Sequence, residues 1–271
     1  ESSSFYINGV KQVLENTNPN NYTGYSNSLQ SFAVAYDWIY NGLSPQDRIT
    51  LGNKLMTSYA VLQDPNNRGA GEWQLDDWHT MMSNRPSGEW TYAAIAIWNE
   101  TDLNGNADNS LAQTKLNQIR TFVTTKKIPF TNMVGSGINP DGGYDSRGAR
   151  QFALELYAWD RATGENLWST SRYLQDFVST RLFAWKMYVD MWVPFGMFDD
   201  NSVRAFGFAY PVEILSKKDT TGVAQYVANN IFNKGIQVSW YENWEQYRWI
   251  IFYDPAKPAT TYNTLPLARY E

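Results

Sequence analysis

The chain has 271 residues, no cysteine, one histidine and a formal net charge of -5. These values exclude a disulfide framework, a thiolate metal site, a cysteine nucleophile and any zinc motif built on two histidines. The acidic balance is spread along the chain and has the wrong sign for phosphate contacts, which argues against nucleic-acid binding; no apolar run approaches the roughly 20 residues that span a bilayer.

The N-terminal residues Glu1-Ser2-Ser3-Ser4 carry no charged-then-apolar leader, so a secretory signal is expected to be absent or already removed. The first predicted helix runs from Leu29 to Tyr40, with Phe32, Tyr36, Trp38 and Ile39 among small residues. Asn41-Gly42 closes it, with Gly42 suited to a left-handed C-cap. Ser44-Pro45-Gln46-Asp47 opens the next: a serine cap, proline in the first turn and an acidic residue near the positive end of the helix dipole. Ile49, Leu51, Leu55, Met56, Tyr59 and Leu62 then recur at helical spacing.

Further helices are predicted over Trp78–Trp98 (interrupted by Pro86), Ser110–Val123, Ala149–Ala162, Trp168–Val189, Ser202–Leu215, Val223–Phe232 and Tyr241–Phe252. Val134–Ile138 and Ile236–Trp240 are short alternating stretches without an evident partner. Helices joined by short polar loops throughout predict an all-α architecture of stacked helical hairpins. One domain over residues 1–252 is expected, followed by an extended exit segment over 253–271 that holds three prolines and no helical period.

Aromatic residues make up 16% of the chain and charged residues 18%. Sugar rings stack their C–H faces on aromatic planes while Asn, Gln and Tyr bind their hydroxyls, so carbohydrate is the expected ligand class; large rings also fill cores. The runs Phe183–Phe195 and Trp240–Trp249 hold more rings than one helix face can bury, and Trp192 and Trp244 are the candidate platforms. Asn21 and Asn99 begin glycosylation triplets.

The densest cluster of reactive types is Trp73–Gly88, which contains the single histidine, His79, with Asp76, Asp77, Asn84 and Arg85. The second is Asn139–Arg150, where Pro140-Asp141-Gly142-Gly143 supplies a turn around which Tyr144, Arg147 and Arg150 are displayed. The pairs Asp76/Asp77, Asp141/Asp145 and Asp199/Asp200 offer the two carboxylates of a glycoside hydrolase, and adjacent acids in turns also serve as helix caps. No calcium-loop pattern, phosphate-cradling glycine loop, nucleophile elbow or dinucleotide fingerprint is present, and no cofactor or metal is expected.

Four segments together resemble the heparinase II/III-like polysaccharide lyases: Ala35–Arg48, Asp76–Asn84, Pro140–Tyr144 with its following helix, and Leu265–Tyr270, in the order that family uses. The resemblance covers nearly the whole chain. It implies an incomplete (α/α) toroid, with the family's following β-sandwich either missing here or supplied beyond residue 271 by a further domain or separate chain. It further implies an acidic, uronic-acid polysaccharide as partner, cleavage by β-elimination, and an extracellular or periplasmic location.

That chemistry needs a group to neutralise the uronate carboxylate, a base at C5 and an acid for the leaving oxygen. By the resemblance, Asn84 is the neutraliser, with Arg85 beside it. Asp77 stands where relatives usually have Asn. His79 and either Tyr144 or Tyr157 handle protons, and Trp78 and Arg147 contact substrate. Relatives carry their tyrosine about ten residues after the Asp-Gly turn, where this chain has Arg150 or Gln151. Tyr157 instead stands seven residues after Arg150, on one helical face, and this pair resembles the Arg and Tyr of alginate lyases with a related toroid. His79 and Asn84, five apart, would point about 140° apart on a regular helix, so both line one cleft only if His79 precedes the helix. A carbohydrate-binding or structural toroid without catalysis is the alternative, since no tyrosine stands at the expected spacing and the sandwich that contributes a histidine in relatives is not in this sequence, whose one histidine is His79.

Overall fold

A computed structural model describes residues 2–18, 28–63, 91–98, 110–134, 145–183, 185–186, 191–192, 212–233 and 251–261. The described chain is all-α, apart from a two-residue antiparallel ladder. The chain divides into two compact units, the first formed by residues 1–78 and 82–123, the second by 79–81 and 124–271. No helix among the described residues is long and apolar enough to cross a membrane.

In the first unit α1 (Ser2–Asn16) packs on α2 (Ser28–Ile39), and α2 packs on α3 (Pro45–Gln63). Helix α2 buries Leu29, Phe32, Ala33, Tyr36 and Ile39, the helical spacing that makes one face apolar. Its end departs from the sequence expectation. Tyr40–Gly42 form a 3-10 turn, and Gly42 is not left-handed. A Cβ there would meet the end of the Ile7 side chain of α1, so the glycine lets that side chain lie close against the turn.

The start of α3 follows its sequence signature. Asp47 N–H donates to Ser44 Oγ (3.2 Å), the Ser44 hydroxyl donates to Asp47 Oδ2 (2.7 Å), and Lys11 of α1 pairs with Asp47 at 2.6 Å. Lys54 of α3 donates to the carbonyls of Leu14 and Glu15 at the C-terminal end of α1 (3.0 and 2.8 Å). Helix α1 itself was not predicted; it exposes Phe5, Tyr6 and Val13, so its apolar residues do not trace one buried stripe.

Helix α4 (Ser110–Phe122) buries Ala112, Leu116 and Ile119. A π-helical segment, Val123–Lys127, links it to α5 (Ile128–Val134). Pro129 lies just beyond the π segment. Proline has no N–H to continue the α ladder, and a widened turn is one way to accommodate that gap.

The second unit is built on α6 (Asp145–Thr163), α7 (Arg172–Phe183), α8 (Val212–Lys218) and α9 (Val223–Asn233), with a 3-10 turn at Leu167–Thr170. Helices α8 and α9 form its most extensive pairing, and α6, α7 and α8 pack on one another. Gly164 ends α6 in the left-handed region (φ +74°), its N–H donating to Asp160 O at 2.9 Å. Asn132 of α5 caps α7: its Oδ1 accepts from Arg172 N–H (2.9 Å) while its Nδ2 donates to Thr170 O (2.8 Å).

The helix expected over Trp168–Val189 is therefore divided. A 3-10 turn precedes α7, and after Phe183 the segment Trp185–Lys186 pairs with Met191–Trp192. Bulky rings at Trp185 and Trp192 suit an extended ladder, and helical periodicity alone did not register it. The expected stretches Val134–Ile138 (beyond its first residue), Ile236–Trp240, most of Ser202–Leu215 and most of Tyr241–Phe252 lie outside the described residues.

Residues 253–261 carry no helix and fold against the α8–α9 hairpin. Lys257 donates to the Ser216 carbonyl and, at 3.1 Å, to that of Asp219, meeting the negative end of α8. Gln225 Nε2 donates to Asp254 O (2.9 Å), and the Tyr253 hydroxyl donates to Asn229 Oδ1 (3.0 Å). Thr260 N–H donates to Gly222 O at 3.0 Å.

Candidate functional site

Helix α6 places both described candidates of the Arg-x6-Tyr pair. Arg150 is fully buried, 1% exposed, within the second unit. Tyr157, two turns on, is half-buried. Its ring meets Phe252 edge-to-face (centroids 5.2 Å apart, 82° between planes), and the Lys218 ammonium lies 5.9 Å from its centroid. Lys218 in turn pairs with Asp160, one helical turn beyond Tyr157 on α6. The two residues thus sit in different environments: an enclosed guanidinium, and a half-buried ring packed on Phe252.

Further polar groups lie in the same interior. Lys127 and Glu155 form an ion pair at 2.7 Å with both side chains 1% exposed, and the ammonium also stands 4.4 Å from the Phe152 ring centroid. Burial pushes the Lys127 ammonium below its usual 10.5, while Glu155 opposes that push. Arg150, Gln151 and Glu213 are buried as well. Nothing in the sequence signalled this arrangement, because Lys127 and Glu155 stand 28 positions apart in a chain of many helices.

A cleft of about 470 Å³ opens in the second unit between the 3-10 turn, α7, the end of α8 and the start of α9. Its apolar part includes Trp168, Leu174, Val178 and Leu215. Its polar part includes Asn166, Ser169, Gln175, Thr220 and Thr221, with charges from Asp176, Lys218 and Asp219. Asp219 caps α9: its Oδ1 accepts from Thr221 N–H (2.8 Å) and the Thr221 hydroxyl (2.7 Å), and its Oδ2 accepts from Ala224 N–H (2.8 Å). The signal for that cap was legible, since Asp219-Thr220-Thr221-Gly222 precedes an apolar helix.

The other candidates are not brought together by the described geometry. His79, Asn84, Arg85, Trp78, Tyr144 and Trp244 lie outside the described residues. Arg147 falls in the first turns of α6 and Trp192 in the short ladder, and their side chains lie outside what is described. Among the described residues no group of three His, Cys, Asp or Glu side chains could hold a metal ion. The chain matches no family model, no curated protein and no solved structure.

Proposed function

We propose that the chain is the helical domain of a polysaccharide lyase-like protein that binds a uronic-acid polysaccharide and cleaves it by β-elimination. The observation that carries this reading is the order of four motifs along one sequence, Ala35–Arg48, Asp76–Asn84, Pro140–Tyr144 and Leu265–Tyr270. In this reading the helical hairpins belong to an incomplete (α/α) toroid, and the protein works in an extracellular or periplasmic setting. A β-rich domain or separate chain completes the site.

Asn84, with Arg85, hydrogen-bonds the uronate carboxylate and so lowers the cost of charge developing there as the C5 proton leaves. Tyr144 or Tyr157 takes that proton. The C5–H electrons form the C4–C5 double bond as the C4–O bond breaks, and His79 or the tyrosine returns a proton to the departing oxygen.

Incubation with alginate, glycosaminoglycans and other uronans, followed by the ultraviolet absorbance of the unsaturated product, tests the reading directly. Absorbance that grows with enzyme and disappears in Asn84→Ala supports it. Reducing sugar released without absorbance points instead to a hydrolase using an Asp pair. A second reading, a carbohydrate-binding domain without turnover, rests on the absence of a tyrosine about ten residues after Asp141, where the chain has Arg150 and Gln151. Saturable uronan binding with no product from any substrate would establish that second reading.

A further inference from the structure

The cleft of about 470 Å³ in the second unit falls in the size range of small-molecule sites and is lined entirely, among the described residues, by positions outside the motifs discussed above. We propose that it binds a neutral, polyhydroxylated ligand: one or two sugar rings without a carboxylate. The inference is independent of the lyase reading, which concerns an acidic polymer and other residues.

Charge decides against an anion. Among the described lining residues, Asp176 and Asp219 outnumber Lys218. Lys218 is already engaged by Asp160, so its ammonium adds little attraction for a further carboxylate. A simple cation is also poorly matched. Asp219 spends three acceptor positions on its own turn, and Asp176 has the Arg172 guanidinium nearby at 3.9 Å. Both carboxylates are thus partly satisfied, and the acceptor capacity that remains suits hydroxyl groups better than a bare cation.

The rest of the lining suits a sugar. Thr220 is exposed and its hydroxyl can both donate and accept, the exposed Ser169 hydroxyl donates to Asn166 O (2.9 Å) and keeps acceptor capacity, and Leu174 and Leu215 supply the apolar surface against which C–H faces pack. A pyranose ring presents both hydroxyls and C–H faces, and this open cleft offers both kinds of partner.

Ligand-observed NMR titration of the full chain with glucose, galactose, mannose, maltose and lactose tests the proposal, with glucuronate as the anionic control. Saturable binding of at least one neutral sugar, tighter than glucuronate, is expected. Asp176→Asn keeps the side-chain shape and removes an acceptor from vicinal hydroxyls, so it should weaken that binding about tenfold. Thr220→Trp, at an exposed rim position, should abolish it by filling the cleft, with circular dichroism verifying the fold of each variant. Absence of binding by every neutral sugar, stronger binding of glucuronate, or binding unchanged in both folded variants would overturn the proposal.

Discussion

Lys127 Nζ and Glu155 Oε2 face each other at 2.7 Å, and each side chain is 1% exposed. The lysine closes the π-helical segment and the glutamate lies midway along α6, so the pair pins two elements of the second unit. Removing one partner of such a pair leaves an uncompensated buried group, at a typical cost of about 3–5 kcal/mol, whereas replacing both with apolar residues is often close to neutral. Lys127→Met and Glu155→Gln should each lower unfolding free energy by about 3 kcal/mol in denaturant titrations. The double variant Lys127→Met/Glu155→Leu should recover most of that loss. Two harmless single variants would show that the pair contributes nothing to the fold.

The two left-handed glycines provide a contrast. Gly164 has φ +74° and open space where a Cβ would stand, whereas Gly222 has φ +82° and would place a Cβ 2.8 Å from Thr260 Oγ1 and 3.0 Å from Thr260 N. Gly164→Ala should therefore cost about 1 kcal/mol from the backbone conformation alone. Gly222→Ala adds a collision and displaces the 253–261 segment, so about 2–3 kcal/mol is expected. Equal losses in thermal unfolding would refute the packing role assigned to Thr260.

Asp47 links stability to pH in the first unit. Hydrogen bonds from Lys11 and then Ser44 hold its carboxyl below the usual 3.8. The folded-state value is the lower one, so its stabilising contribution is present above the unfolded value and is lost as pH falls through the folded one. In Asp47→Asn the fall in stability below about pH 4 should become shallower, while stability near neutrality drops. Ser44→Ala should cost about 1 kcal/mol through loss of the cap. An unchanged acid limb in Asp47→Asn means the Lys11 contact is not maintained in solution.

Tyr157→Phe and Tyr144→Phe separate the two candidate bases. Tyr157→Phe keeps the ring that packs on Phe252 and removes only the hydroxyl, so the fold should persist. If the proposed lyase activity is measured, the variant of the true base should lose about 10²–10⁴-fold in kcat. Retention of full activity in both variants would remove tyrosine from the mechanism.

The helices legible in advance were those with local signals. Ser44-Pro45-Gln46-Asp47 announced α3, and the periodic apolar residues of Ser110–Phe122, Asp145–Thr163 and Val223–Asn233 marked α4, α6 and α9 within a few positions. Helix α1 was missed because Phe5, Tyr6 and Val13 are exposed and blur its stripe. The ladder at Trp185–Trp192 was missed because two residues per strand leave no period to read.

The sequence by itself determined the all-α character, because composition, caps and helical spacing act over a few neighbouring residues. It also carries the motif order on which the proposed function rests. Tertiary structure decided what distant residues do to one another. It buried Arg150 while leaving Tyr157 half-buried against Phe252, joined Lys127 to Glu155, and packed residues 253–261 onto α8 and α9. Each of these depends on burial and on partners tens of positions away, and local periodicity contains no record of either.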